Sequence, residues 1–109
     1  MRRGELWTAS ASRGYAGKPR PVLIIQDDRF DATDSLTICP LTTTVVDIPL
    51  LRIPLQPNTT NGLTAPSSIM LDKITTVLRS KLGGHIGAVS TTEMLQVERG
   101  LLVYLGLTG

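Results

Sequence analysis

Short apolar segments separated by turn residues, followed by one longer amphipathic stripe, divide the chain into strands and a closing helix. The most apolar run, Val22-Leu-Ile-Ile25, has three β-branched residues and is bounded by Pro21 and by Gln26-Asp27-Asp28. A run of that length and composition predicts a strand buried on both faces. Pro19 and Pro21 fix the backbone around Arg20 and press the residues before them into extended conformations. Arg20 is therefore held at the mouth of the strand. It is either an edge residue that keeps the strand start soluble with a carboxylate as partner, or a fixed cation that serves a site.

The other elements follow from the same patterns. Gly4 to Ala9 alternates as a first strand, with Leu6 and Ala9 or Trp7 facing inward. Ser10 to Lys18 is small, polar and Gly-containing, a surface loop that brings Arg13, Tyr15 and Lys18 beside Arg20. Asp27 to Asp34 predicts a loop or a short helical turn. Leu36 to Leu41 predicts a third strand running into Thr42-Thr43-Thr44, and Val45 to Pro49 turns the chain. Leu50 to Leu55, interrupted by Pro54, predicts an edge strand. Gln56 to Pro66 is a second long loop with Asn61-Gly62 as its tightest turn signal. Ser67 to Leu78 is the longest strand-like run, and the change of phase between Leu71 and Ile74 predicts a bulge near Asp72-Lys73. Arg79 to Gly84 predicts a turn and His85 to Val89 a short last strand.

Ser90-Thr-Thr-Glu93 is a capping box. The helix it opens carries Met94, Val97, Leu101, Tyr104 and Leu105 on one face, broadened by Leu95 and Leu102, and stops near Gly106. Glu98 falls on that stripe and is read as a structural carboxylate, bonded to a backbone group or a basic residue where the helix meets the barrel. The order predicts a mainly β fold with a C-terminal helix, a small SH3-like, partly open β-barrel formed by residues 1–109 as one domain.

Composition narrows the function classes. At 109 residues the chain suffices for one domain and not for two. Hydrophobic residues make up 41%, yet the apolar runs are far too short for a membrane span, and the N-terminus lacks the apolar segment of a secretory signal, so a cytoplasmic location is expected. A single cysteine, Cys39, permits no internal disulfide and reads as a small buried hydrophobe in a reducing compartment. Arg2, Arg3, Arg13, Lys18 and Arg20 face only Glu5 among the first 20 residues, whereas the whole chain carries a net charge of +2 and has a pI near 9.0. Such a patch suits a phosphate backbone, an acidic protein partner, or simply a solvated face. One Trp, two Tyr and one Phe do not suffice for extended base-stacking platforms.

His85 is the only histidine, which excludes a two-histidine acid–base pair within one chain, and its Gly-rich surroundings read as those of a solvated or structural residue. No cluster of His, Cys or carboxylates has metal-ligand spacing, so no metal or other cofactor is expected. No Gly-rich phosphate loop follows a strand and opens a helix. One reaction needs no nucleophile from the protein: RNA cleavage in which the 2′-hydroxyl attacks the adjacent phosphate. It requires in-line positioning and stabilisation of added negative charge, which a fixed guanidinium and a hydroxyl supply. Arg20 and Thr42 fit those roles if their strand ends meet. The threonine run is otherwise explained by β-propensity.

The series Gly4-Glu-Leu-Trp7, Arg20-Pro-Val-Leu-Ile-Ile-Gln-Asp27, Pro40-Leu-Thr-Thr43, Ser68-Ile-Met-Leu-Asp-Lys-Ile74, Leu82-Gly to Ile86-Gly, and Leu105-Gly-Leu107 resembles the MazF/PemK toxins of bacterial toxin–antitoxin systems, over nearly the full chain and in the family's order. The resemblance implies a homodimeric, sequence-specific endoribonuclease that cuts single-stranded RNA without metal and is neutralised by a cognate antitoxin. It implies Arg20 and Thr42 as catalytic residues. Arg13, Lys18, Thr43, Lys73 and Arg79 are candidate RNA contacts, and if the dimer brings the two long loops across from each other, residues 10–18 and 56–66 line the RNA groove. Some PemK-type members use an Arg and an Asp where this chain has Thr75 and Val77. An arginine is a poor general base, so Arg20 is assigned to charge stabilisation, and Asp27, Asp28 and Asp72 are unranked candidates for the base. Two alternatives share the fold class: a non-enzymatic toxin acting on DNA gyrase, whose relatives rely on an exposed C-terminal aromatic absent from Leu105-Gly-Leu-Thr-Gly109, and an SH3-like module that binds RNA or peptide without cutting.

Overall fold

The computed structural model describes residues 1–10 and 18–108. Seven strands and one helix are present among them: β1 (Glu5–Ala9), β2 (Arg20–Ile24), β3 (Ser35–Thr42), β4 (Arg52–Leu55), β5 (Ser67–Met70), β6 (Thr75–Leu78), β7 (Leu82–Ala88) and α1 (Thr91–Tyr104). All strand pairs are antiparallel, in the order β4-β5-β3-β2-β1-β7, with β6 added on β3. The architecture is mainly β with a C-terminal helix, as the apolar pattern predicts. No helix among the described residues is long and apolar enough to cross a membrane.

The central strands separate two apolar clusters. Leu6 of β1, Leu23 of β2, and Cys39 and Leu41 of β3 point to one side, where Ile69, Leu71, Met94 and Val97 meet them. Ala9, Val22, Ile24, Leu36, Ile38 and Leu82 occupy the other. Val22, Leu23 and Ile24 are thus hidden on alternate faces of one strand, the two-sided burial that their run of hydrocarbon predicts. Each fully buried leucine or isoleucine contributes roughly 1.5–3 kcal/mol through removal of its surface from water. Cys39 lies wholly inside the first cluster, and burial, with Asp72 adding a smaller electrostatic push, raises its thiol pKa to about 12. The thiol is therefore unreactive, as expected of a buried hydrophobe.

Helix α1 begins at the expected capping box: the Ser90 hydroxyl accepts from Glu93 N–H at 3.1 Å and the Glu93 carboxylate from Ser90 N–H at 2.7 Å. Its buried residues are Met94, Val97 and Gly100. Leu101 continues the expected stripe, partly buried against the first cluster, and Gly100 beside it is required by close packing, because a Cβ there would stand 2.3 Å from Leu71 Cδ1 and 2.8 Å from the Leu50 carbonyl oxygen. Toward its end the helix runs past the sheet, and Tyr104 and Leu105 of the stripe, with Leu95 and Leu102 expected to broaden it, are 43–49% exposed. Glu98 lies 3.5 Å from the Arg3 guanidinium, the structural pairing expected for it.

Two further boundaries differ from the expectation. The run from Ser67 to Leu78 is not one strand with a bulge; a 3-10 turn over Leu71–Lys73 splits it into β5 and β6. The last strand starts at Leu82, three residues early, because Gly83 and Gly84 continue β7 past Thr8. The Thr8 hydroxyl accepts from Gly84 N–H at 2.8 Å and would lie 2.7 Å from a Cβ on Gly83. Loop 56–66 is ordered around the buried Asn61, whose amide accepts from Asn58 and Leu63 N–H and donates to the Gln56 carbonyl. Gly62, at φ +67°, packs against the Ile86 carbonyl of β7.

Candidate active site

The site is produced by the register of β2 and β3. Val22 pairs with Pro40, Leu23 with Cys39 and Ile24 with Ile38. Carried two residues further, that register brings Arg20 level with Thr42, the meeting of strand ends on which the sequence reading depends. On the flanks, Ala9 pairs with Arg20 and Thr42 with Ser68.

The opening between these strand ends comes from the other side of β3. Residues Ser35 to Ile38 pair with β6, and Leu41 and Thr42 with β5. Between the two sets, opposite Cys39 and Pro40, the neighbouring chain leaves the sheet as the Leu71–Lys73 turn. Pro40 has no N–H to strand, so a strand can lose a neighbour there without orphaning a donor. Several interactions pull the turn outward from the sheet. Leu71 is fully buried beneath Gly100, and its N–H donates to the Leu51 carbonyl at 2.9 Å. Arg52 grips Asp72 with two bonds, Nε at 2.9 Å and Nη2 at 3.1 Å. The Tyr104 hydroxyl donates to the Asp72 carbonyl at 3.4 Å.

A cavity of about 490 Å³ occupies the gap, and Arg20, Thr42 and Lys73 all line it. These are three of the seven residues expected at the site. The Thr42 oxygen accepts from Thr44 N–H at 3.1 Å, which leaves its O–H proton to be directed elsewhere. Lys18 and Thr43 are exposed beside Arg20 and Thr42 respectively. Arg13, with the rest of the predicted loop from 11 to 17, lies outside the described residues.

Arg79 is placed elsewhere. Its guanidinium donates to the carbonyls of Asp31 and Thr33, the latter at 2.8 Å from Nη2, and reaches Met1 Sδ at 3.4 Å. It tethers the loop before β3 and does not line the cavity. Loop 56–66, expected to line a groove across a dimer, contributes no described residue to this cavity within one chain. The N-terminal basic cluster is likewise partly spent on internal pairs, Arg2 with Asp28 at 3.2 Å and Arg3 with Glu98.

No carboxylate or imidazole is among the described residues lining the cavity. Asp27 is held by Arg29, whose hydrogen bonds lower its pKa; Asp28 binds Arg2 and the Arg3 N–H; Asp72 is lowered by its bonds from Arg52. Each proposed base is thus engaged away from Arg20. His85 is half-exposed, stacked on Trp7 at 5.3 Å and 3.5 Å from Glu5, a structural setting. Among the described residues, no group of three His, Cys, Asp or Glu side chains is placed to hold a metal. The sequence reading did not single out Pro40 and Met70 of the lining. Its one signal was the phase change at Leu71, which marks the departure from the sheet.

Residues 2–105 match a family described as PemK-like, MazF-like toxin of type II toxin–antitoxin system. A probable endoribonuclease MazF of Mycolicibacterium smegmatis is 55% identical over 109 residues, covering all of both chains. An endoribonuclease solved in complex with its cognate antitoxin, from a mycobacterial species, superposes with a TM-score of 0.81 at 26% identity, covering 100% of this chain and 98% of that one. A MazE-MazF structure from Deinococcus radiodurans gives 0.82 at 18% identity over 99% and 98%, and so supports the fold alone.

Proposed function

Because the chain belongs to the PemK-like, MazF-like toxins of type II toxin–antitoxin systems and is an endoribonuclease toxin of that family, we propose that it cuts single-stranded RNA by in-line attack of the 2′-hydroxyl, at the cavity between β2 and β3. The observation that carries this reading is the coincidence of Arg20, Thr42 and Lys73 at one opening. The 2′-oxygen bonds to phosphorus as its proton passes to water, the 5′-oxygen of the next nucleotide leaves and takes up a proton from water, and the products are a 2′,3′-cyclic phosphate and a 5′-hydroxyl. Arg20 stabilises the added negative charge on the phosphoryl oxygens through charge-assisted hydrogen bonds. Thr42, its oxygen already accepting from Thr44, donates a hydrogen bond to the same group. Lys73 binds a neighbouring phosphate as a point charge. Lys18 and Thr43, and Arg13 from the sequence alone, extend this contact along the strand. Catalysis here is positioning and electrostatics and needs no metal.

The chain acts as a homodimer in the cytoplasm, and a cognate antitoxin restrains it by covering the RNA surface. Supporting an apolar partner surface, Leu102, Val103, Leu105 and Leu107 are 43–69% exposed at the end of α1.

The test is cleavage of a long single-stranded RNA in EDTA by the purified protein. Discrete cuts with cyclic or 3′-phosphate ends are expected, and Arg20→Ala or Thr42→Ala should slow them at least ~100-fold without lowering the melting temperature. Either variant cutting at the wild-type rate removes that residue from the mechanism. Stoichiometric RNA binding with no product favours the binding-module alternative.

A further inference from the structure

We infer that the apolar part of the cavity seats the base of one nucleotide adjoining the cut phosphate, and that Thr75 and Met70 set which base is accepted. This rests on the ribonuclease reading. A phosphate uses only the rim, where Arg20, Thr42 and Lys73 stand. Behind the rim the lining is hydrocarbon: Val22, Ile38, Pro40, Met70 and Val77. An anion gains nothing there, since hydrocarbon strips its hydration and returns no hydrogen bonds. The group that is covalently tied to a phosphate, has apolar faces and carries polar atoms only on its edge is a nucleobase.

The lining also predicts how the base is read. None of the described lining residues is aromatic, so those residues hold the base by shape and dispersion against aliphatic side chains. Identity must then come from size and from the edge. Met70, half-buried at the end of β5, bounds the available space. Three hydroxyls line the cavity besides the rim cations. Thr42 Oγ accepts from Thr44, and Ser10 Oγ donates to the Lys81 carbonyl at 3.3 Å. Thr75 is exposed on β6, two residues beyond Lys73 and paired with Ile38, and its hydroxyl makes no bond within the described residues. It can donate to or accept from the edge of a base that lies on the Met70–Val77 hydrocarbon.

The experiment sequences the cut ends from a randomised single-stranded RNA pool treated with wild type, Thr75→Val, Met70→Ala and Arg20→Ala. Thr75→Val keeps the shape and removes the hydroxyl; Met70→Ala keeps the hydroxyl and enlarges the seat. Both are checked for wild-type melting. The expected result is a roughly 2- to 10-fold loss of preference at one and the same position flanking the cut in both variants, with preferences elsewhere in the motif retained. An unchanged motif in both variants, or a loss spread over every position, overturns the seat while leaving the ribonuclease reading intact. A wild-type protein that cuts nothing in the pool overturns the reading on which the seat rests, and Arg20→Ala provides the uncut reference.

Discussion

Leu23 and Val22 are neighbours on β2, 0% and 4% exposed, yet they serve different regions. The face of Leu23 is sealed by helix α1 through Met94 and Val97. The face of Val22 opens, two residues from Arg20, into the cavity. A buried strand thus supplies a core with one side and the wall of a site with the other. The lesson is that stability and chemistry are separated by strand alternation, so substitutions on the two faces should fail in different ways.

Leu23→Ala tests the sealed face most severely. It should cost about 2–5 kcal/mol, seen as a fall in denaturation midpoint, while RNA cleavage per folded molecule persists at low temperature. Arg20→Ala should do the reverse. A Leu23→Ala protein that is fully stable but inactive would erase the distinction. Gly100→Val acts where the two regions touch, since any Cβ there collides with Leu71 and the Leu50 carbonyl. A loss of about 1–3 kcal/mol is expected, accompanied by weaker RNA binding, because the displaced turn carries Lys73. Retained binding with lowered stability would show that the turn tolerates the shift.

The smallest effect is expected at the Arg52–Asp72 pair, whose side chains are 11% and 20% exposed. Asp72→Asn, which keeps one acceptor oxygen for Arg52, should cost roughly 0.5–1.5 kcal/mol at neutral pH. Hydrogen bonds from Arg52 hold the Asp72 carboxyl below its ordinary value of 3.8. A depressed native pKa adds stability that is complete above the ordinary value and disappears as pH falls through the native one. Wild type and Asp72→Asn should therefore differ most near neutrality and converge below about pH 3.8 in thermal denaturation. A difference that is constant with pH would assign the effect to packing alone.

Much of this arrangement was legible in the sequence where one residue type has one physical use. The β-branched run Val22 to Ile25 admits a two-sided strand, Pro54 an edge, and Ser90 with Glu93 a helix start. The reading faltered where the deciding contact is distant. Leu71 turns inward because Gly100 leaves room for it, and neither residue reveals the other. Arg79 looks like a phosphate contact until the carbonyls of Asp31 and Thr33 are seen around it. The cavity itself had no direct signal, since it is the space left when one turn departs from a sheet. Arg20 and Thr42 were identifiable through resemblance, and the register explains why they coincide. Met70, by contrast, reads only as a strand residue.

The β2–β3 register also has a consequence in time. Arg20 and Thr42 are joined by a short stretch of chain and come level as soon as that hairpin pairs. Lys73 takes its place only after the turn at Leu71 is anchored by α1, which follows every strand in the order of synthesis. On a ribosome, the Arg20–Thr42 side of the cavity has both its strands early, whereas the turn that carries Lys73 on the other side meets its packing partner Gly100 only once α1 has been made.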